Sequence, residues 1–384
     1  MADHATSSPP APQRILVRGV NWLGDAVMTT PALRRLREKF PAAHISLLTQ
    51  EKLAGLWQAH PGIDAVINFT RGESIWQVAG RLRAGQFQLG IALPNSARSA
   101  IELWLARIPQ RLGYGGGARN LLLTQVVRRR VGALHMRKRS DAEIRRLITS
   151  GDAATPKPAQ AADHHIHHYL HLLAALGCAP EPVAPELVVP DAEVRAAREK
   201  FGLAVDDRPW FGLNTGAEYG PAKRWPRERF VAAAVLLQRR TCCRWLVLGG
   251  SGDVDLAGGI AAEILAAAKH TEPAAGPDEV VNLAGKTSLR ELCALLKACR
   301  VLLTNDTGPM HVAAALGTPV VALFGSTSPE LTGPGLPGDS RHRLLQAGVP
   351  CAPCFRRVCP IDFRCMNSLS VQRVAGAVLE VAAG

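Results

Sequence analysis

Aromatic residues are scarce in this chain, at 5% of its 384 residues. They are not interleaved with the basic clusters, so the stacking platforms that hold single-stranded nucleic acid are missing. No apolar run approaches the ~20 residues of a membrane-spanning helix. Met1 to Pro12 is polar and Pro-rich and lacks the apolar segment of a secretory signal. We read it as a disordered tail, 1–12, on a cytoplasmic protein. The nine cysteines are an odd number without such a signal, which argues against a disulfide framework. The Gly-rich run Gly113 to Gly117 lacks the lysine of a P-loop and reads as a flexible connection. Negative charge is also short. Asp and Glu number 32 against 45 Lys and Arg, giving a formal net charge of +13. That excess fits nucleic acid, acidic lipid or a phosphorylated substrate as partner, and equally a solvated Arg-rich surface. It is concentrated at Arg34-Arg35, Arg128-Arg129-Arg130 and Arg137-Lys138-Arg139.

What is present is alternation. Short apolar segments such as Ile15 to Val17, Ile45 to Leu48, Ala65 to Ile67 and Leu89 to Ala92 have the length of buried parallel strands. Helical patterns separate them, among them Ala26 to Phe40, with Pro31 as a kink, and Ser74 to Ala84. Strand, helix and strand at this spacing form right-handed crossovers and a parallel sheet. A Pro-rich stretch ending at Pro190 reads as a linker, and beyond it the alternation restarts with strands at Trp210 to Leu213, Trp245 to Leu248, Val280 to Asn282 and Val301 to Leu303. The expected organisation is an α/β protein with an N-terminal domain over 13–180, a linker over 181–190 and a second parallel-sheet domain over 191–350. A Cys-containing loop and final helix occupy 351–384. Two such domains place a cleft between two carboxyl edges, where open α/β sheets build their sites.

The most informative stretch runs from Val301 through Asn305-Asp306-Thr307-Gly308-Pro309-Met310-His311 to Gly317 and Gly325. It reads as strand, polar turn, short helix and strand. Asp306 and Thr307 both suit a cap and Pro309 the first helical turn. The free N–H groups of that helix favour a phosphate, whereas Asp306 suits sugar hydroxyls. Asp25, on a strand-to-helix loop, is a general base if it meets an acceptor hydroxyl, or else an N-cap. Lys223 and Arg224 lie on a long loop and suit a diphosphate, or else are surface charge. Cys351 and Cys354 have the spacing of a zinc half-site, while Cys359 and Cys365 are spaced loosely; zinc and reduced thiols closing a loop both fit. His164, His165, His167, His168 and His171 fall on one predicted helix and read as a polar face, not a metal site.

Asn21-Trp-Leu-Gly-Asp25 with Pro31-Ala-Leu33, Leu93-Pro-Asn95-Ser96, Gly216 to Pro226, and Asn305-Asp-Thr-Gly308 with His311 together resemble the lipopolysaccharide heptosyltransferases of glycosyltransferase family 9, the second and third of these most closely the type II branch. The likeness spans nearly the whole chain. It implies the GT-B fold, two Rossmann-like parallel-sheet domains facing a central cleft. It also implies an inverting enzyme that moves L-glycero-D-manno-heptose from ADP-L-glycero-β-D-manno-heptose to the first heptose of the Kdo-lipid A inner core. The implied catalytic base is Asp25. Thr215, Gly216, Lys223, Asp306, Thr307, Gly308 and His311 are implied on the donor side, and Asn21, Asn95 and Ser96 on the acceptor side. No metal or cofactor is implied. Such an enzyme meets an anionic inner-membrane leaflet from the cytoplasm, and the clusters Arg128 to Arg130 and Arg137 to Arg139 are the expected contacts. A heptosyltransferase of type I or III, and a nucleotide-sugar epimerase of the same architecture, are the competing readings; a non-catalytic binder of nucleic acid or membrane is a third.

Overall fold

The computed structural model describes residues 11–134, 136–150, 160–268 and 279–383. Residues 1–10 of the expected tail lie outside them. The chain divides into two compact units, one made of Met1–Asn21, Thr29–Val131 and His168–Glu181, the other of Trp22–Met28, Gly132–His167 and Pro182–Gly384.

The first unit carries the strands β1 (Arg14–Arg18), β2 (His44–Gln50), β3 (Ala65–Phe69), β4 (Leu89–Ala92), β5 (Gln110–Tyr114) and β6 (Gln125–Val127). They form one sheet in the order β3-β2-β1-β4-β5-β6, paired in parallel throughout. The strands are short and apolar because helices cover the sheet, and a strand buried on both faces loses the usual alternation. Leu16, Leu48, Phe69, Val78, Leu82 and Leu103 pack together in its core. Sequence direction reverses between β1 and β4, so the loops after these two strands flank the switch point of the sheet. A buried ion pair sits there. Arg18 Nε lies 2.8 Å from Glu102 Oε2, both side chains almost fully enclosed. Removing either partner would strand a buried charge.

The second unit repeats the design with β7 (Trp210–Asn214), β8 (Arg244–Leu248), β9 (Val280–Asn282), β10 (Val301–Asn305), β11 (Val320–Phe324) and β12 (Arg343–Gln346). Their order is β12-β11-β10-β7-β8-β9, again all parallel. Every residue of β7, β8, β10 and β11 is buried. Phe211 and Trp245 meet edge to face at 5.7 Å, as do Trp225 and Phe230 at 5.0 Å. The last helix, Val371–Ala383, buries Val374, Val378 and Val381 in this same core, so it completes the second unit instead of following it.

Several expectations change. Pro31 does not kink one helix; the chain breaks at Thr29 into α1 (Leu23–Met28) and α2 (Thr30–Lys39), with proline in the first turn of α2, where its missing N–H costs nothing. The span 13–180 is not one body, because 22–28 and 132–167 pack with the second unit. The expected linker 181–190 is tied down. Leu187 is buried and its N–H donates to Ala315 O at 3.0 Å, while Lys297 Nζ donates to Val189 O at 2.7 Å. The cluster Arg137 to Arg139 lies in the second unit and not in the first. Arg137 pairs with Glu143 at 2.6 Å and Arg139 donates to Pro350 O at 3.1 Å. The histidine run is not a polar face. His164 and His165 precede the helix Ile166–Ala174, and His164 is buried with Nε2 2.9 Å from Gly333 O.

Candidate functional site

The switch point of the second sheet lies between β7 and β10, and the loops leaving these strands hold most of the expected donor residues. Two buried asparagines at the strand ends lock the loops together. Asn305 accepts from Trp225 N–H at 3.0 Å and donates to Thr215 O at 2.8 Å. Asn214 Nδ2 donates to the hydroxyls of Thr304 and Thr307, each at 3.0 Å. A helix, α3 (Gly308–Ala315), follows, with Pro309 in its first turn. Thr307 is its N-cap, yet its side chain makes no capping hydrogen bond because the hydroxyl is engaged with Asn214 and Thr304. The leading N–H groups of α3 therefore keep their capacity for an anion.

Lys223 and Asp306 meet directly. Lys223 Nζ lies 2.6 Å from Asp306 Oδ2, which also accepts from Thr327 Oγ1 at 2.5 Å. Asp306 is 5% exposed, and these two donors satisfy its buried charge. Lys223 also lies 4.9 Å from the Tyr219 ring centroid. The loop that carries it is buttressed by the Cys-containing segment: Tyr219 OH donates to Phe355 O at 2.7 Å and Ala222 N–H to Arg357 O at 3.0 Å. Cys354 N–H and Phe355 N–H in turn donate to Ser326 O. Gly216 touches Asp253, since a Cβ there would run into that carboxylate. Arg224 Nη2 stands 3.8 Å from Asp253 Oδ1. Thr215 is buried, and its hydroxyl has no hydrogen-bond partner among the described residues.

Asp25 joins this group from far away in sequence. It is neither a loop residue nor an N-cap but the third residue of α1, and α1 packs on α3. The approach is close at two glycines. A Cβ on Gly24 would lie 2.7 Å from His311 Cδ2, and one on Gly308 would lie 2.8 Å from Leu23 Cβ. Asp25 stays 29% exposed, with His165 Nδ1 3.5 Å from its Oδ1. His311 is buried, and burial pushes its imidazole down to about 4 despite the opposing pull of Asp306 and Asp25. At neutral pH it is an uncharged spacer between the two carboxylates.

The acceptor-side residues belong to the first unit. Asn21 Oδ1 accepts from Arg18 at 3.1 Å, so it steadies the buried Arg18–Glu102 pair. Ser96 caps the helix Ala97–Leu105 by accepting from Ser99 N–H. Asn95 is exposed beside it. Among the described residues, no three His, Cys, Asp or Glu side chains are arranged to hold a metal ion. Cys351, Cys354 and Cys365 are buried thiols, and burial with crowding by the other cysteines pushes Cys365 up to about 12. Sequence reasoning missed His165, Thr327, Asn214 and Asn305 as parts of the site. The asparagines were legible as polar residues ending otherwise apolar strands. Nothing in the local sequence pointed to His165 or Thr327.

A sequence model of the family described as glycosyltransferase family 9 (heptosyltransferase) matches residues 143–363. Lipopolysaccharide heptosyltransferase 2 of Escherichia coli (strain K12) is 34% identical over 328 residues, 84% of this chain and 85% of that one. Lipooligosaccharide heptosyltransferase 2 of Haemophilus ducreyi is 30% identical over 88% of this chain and 90% of its own. Among solved structures, that of E. coli ADP-heptose lipopolysaccharide heptosyltransferase II is similar with a TM-score of 0.74 and 27% identity, covering 96% of this chain and 98% of that one.

Proposed function

The chain belongs to glycosyltransferase family 9, and from that premise we propose that it is the inverting heptosyltransferase that adds the second heptose of the lipopolysaccharide inner core. It takes L-glycero-D-manno-heptose from ADP-heptose and transfers it to the first heptose of Kdo-lipid A. The carrying observation is the convergence of Asp25, Lys223 and the uncapped start of α3 within one unit, around the buried His311. Asp25 takes the proton of the acceptor hydroxyl as its oxygen attacks the anomeric carbon from the face opposite the leaving group. The sugar passes through an oxocarbenium-like state. ADP departs with growing negative charge, which Lys223 and the N–H groups of α3 stabilise. Asp306 then receives sugar hydroxyls when Lys223 turns to the diphosphate. Thr215 and Gly216 line the phosphate side: one offers a hydroxyl, and the other lets the backbone approach. The test is ADP release from ADP-heptose with and without heptosylated Kdo-lipid A. Release that depends on acceptor supports transfer; equal turnover without acceptor favours an epimerase or hydrolase.

Lys223→Ala is expected to weaken ADP and ADP-heptose binding by about tenfold or more, the scale of a lost charge-assisted contact, and to leave adenosine binding little changed. It also leaves Asp306 buried without its cation, so the melting temperature falls. Adding Asp306→Asn should recover stability but not diphosphate binding. Calorimetric titration of the three ligands against both variants checks this, and equal losses for all three would remove Lys223 from the phosphate site.

The acceptor sits on an anionic leaflet, and no helix among the described residues is long and apolar enough to cross a membrane. Peripheral contact from the cytoplasm is the matching mode. The first unit offers Arg128 and Arg129, both exposed, followed by Arg130 and flanked by exposed Leu121, Val126 and Val131. Each cation near such a surface contributes ~1 kcal/mol. Replacing Arg128, Arg129 and Arg130 with Gln should lower association with anionic vesicles by tenfold or more. It should raise KM for the lipid acceptor and leave ADP-heptose affinity alone. Unchanged vesicle binding in a sedimentation assay would assign the membrane to another face.

A further inference from the structure

His165 stands apart from the other histidines of its run. The turn that carries it is fastened at two points. His165 N–H donates to Leu331 O at 2.9 Å, and the neighbouring His164 Nε2 lies 2.9 Å from Gly333 O. With the backbone held, the imidazole projects toward α1, where Nδ1 comes within 3.5 Å of Asp25 Oδ1. Both side chains are partly open to solvent, at 26% and 29%. The other side of the pair is held too, since α1 packs on α3 through Gly24 and Gly308. The titratable groups acting on this pair are His311 on α3, which acts on both members, and His164 beside His165 in the chain.

We propose that His165 is the positioning residue for Asp25, taking over the proton that Asp25 removes from the acceptor hydroxyl. The inference rests on the heptosyl-transfer reading and extends it. The acceptor O–H bond breaks as its oxygen bonds the anomeric carbon, and the bond from that carbon to the phosphate oxygen breaks with its electron pair leaving on ADP. The proton moves first to Asp25. From there it passes to the imidazole Nδ1, which stands 3.5 Å from Asp25 Oδ1. Nδ1 is enclosed, so the ring keeps that proton and releases the one on Nε2 to water, and Asp25 is again a carboxylate before the next acceptor arrives. A second consequence follows at low pH. An imidazole already protonated cannot accept, so turnover should fall as the pH is lowered.

The test uses the full chain with ADP-heptose and the heptosylated acceptor, reading kcat, KM and the pH profile. His165→Gln should lower kcat about tenfold, keep KM for ADP-heptose within about twofold, and move the acid limb of the pH profile to lower pH. His165→Gly should regain activity when free imidazole is added, and Asp25→Asn should not. A wild-type kcat and profile in His165→Gln, with Asp25→Asn inactive, overturns this inference alone. Lost rate with an unmoved profile and no imidazole rescue also overturns it, leaving His165 a packing residue. Normal transfer by Asp25→Asn would overturn the assignment of the base itself and this inference with it.

Discussion

Asp25→Asn is expected to lower heptosyl transfer by 10²-fold or more while ADP-heptose binding stays within about twofold. The amide has the shape of the carboxylate and keeps its place in α1, whose seat on α3 depends on Gly24 and Gly308 and not on the acid. What is lost is a group able to take the acceptor proton. The neighbouring donor contacts persist, because Lys223, Asp306 and Thr327 bond one another and not Asp25. Stopped assays of ADP release, paired with calorimetric titration of the donor, separate the two effects. Near-normal turnover would take Asp25 out of the mechanism, and a parallel collapse of donor binding would mean that α1 had left its seat.

The second large effect is acid sensitivity. His60, His164, His311 and His342 are all buried, and burial pushes each imidazole down to about 4. Above pH ~6.5 they are neutral in both the folded and unfolded chain and contribute no pH dependence. Between ~6.5 and ~4 the unfolded chain binds protons that the folded chain refuses, so stability falls as pH falls. Below ~4 the folded form protonates as well and the loss levels off. Each buried histidine makes a loss of this sign over that window. Three of the four lie in the second unit, which should fail first on acidification. Denaturant midpoints between pH 7.5 and 4.5 measure the slope. His60→Asn, whose side-chain oxygen can still accept from Gly62 N–H as Nδ1 does, should flatten the slope of the first unit and leave that of the second unchanged. A flat midpoint would mean that these imidazoles accept protons in place.

The two parallel sheets were legible because strands buried on both faces announce themselves as short apolar runs, and β7, β8, β10 and β11 are buried along their whole length. The turn at Asp306 was legible for a local reason as well. A proline and a cap residue directly after an apolar run fix a strand-to-helix corner. The membership of α1 was not. Nothing between Trp22 and Met28 says that it leaves the sheet it follows, and the contact that decides this, Gly24 against His311, is made by two residues far apart in the chain. The histidine run misled for a related reason. Its spacing fits a helical face, yet Gly333 O claims His164 and Asp25 draws near His165, and both events depend on segments that the run itself does not contain. Lys223 and Asp306 were each recognised for separate tasks, one for phosphate and one for sugar. Their 2.6 Å pairing shows that without donor each serves as the other's counter-ion.

The placement of α1 also sets an order of events at the ribosome. Residues 22–28 are made early, but the helix they lean on begins at Gly308, about 280 residues later. At the usual pace of synthesis, 5–20 residues per second, that is a wait of roughly 15–55 s. The N-terminal sheet can assemble meanwhile, because its strands through β6 are complete by Val127. The segment bearing Asp25 cannot, and must remain undocked, with Val27 and Met28 unburied, until the last fifth of the chain emerges. The same threading governs chimeras between relatives: a cut at 181 would graft a foreign α1 onto a native α3, and an exchange that respects the fold must carry 22–28 and 132–167 along with the C-terminal half.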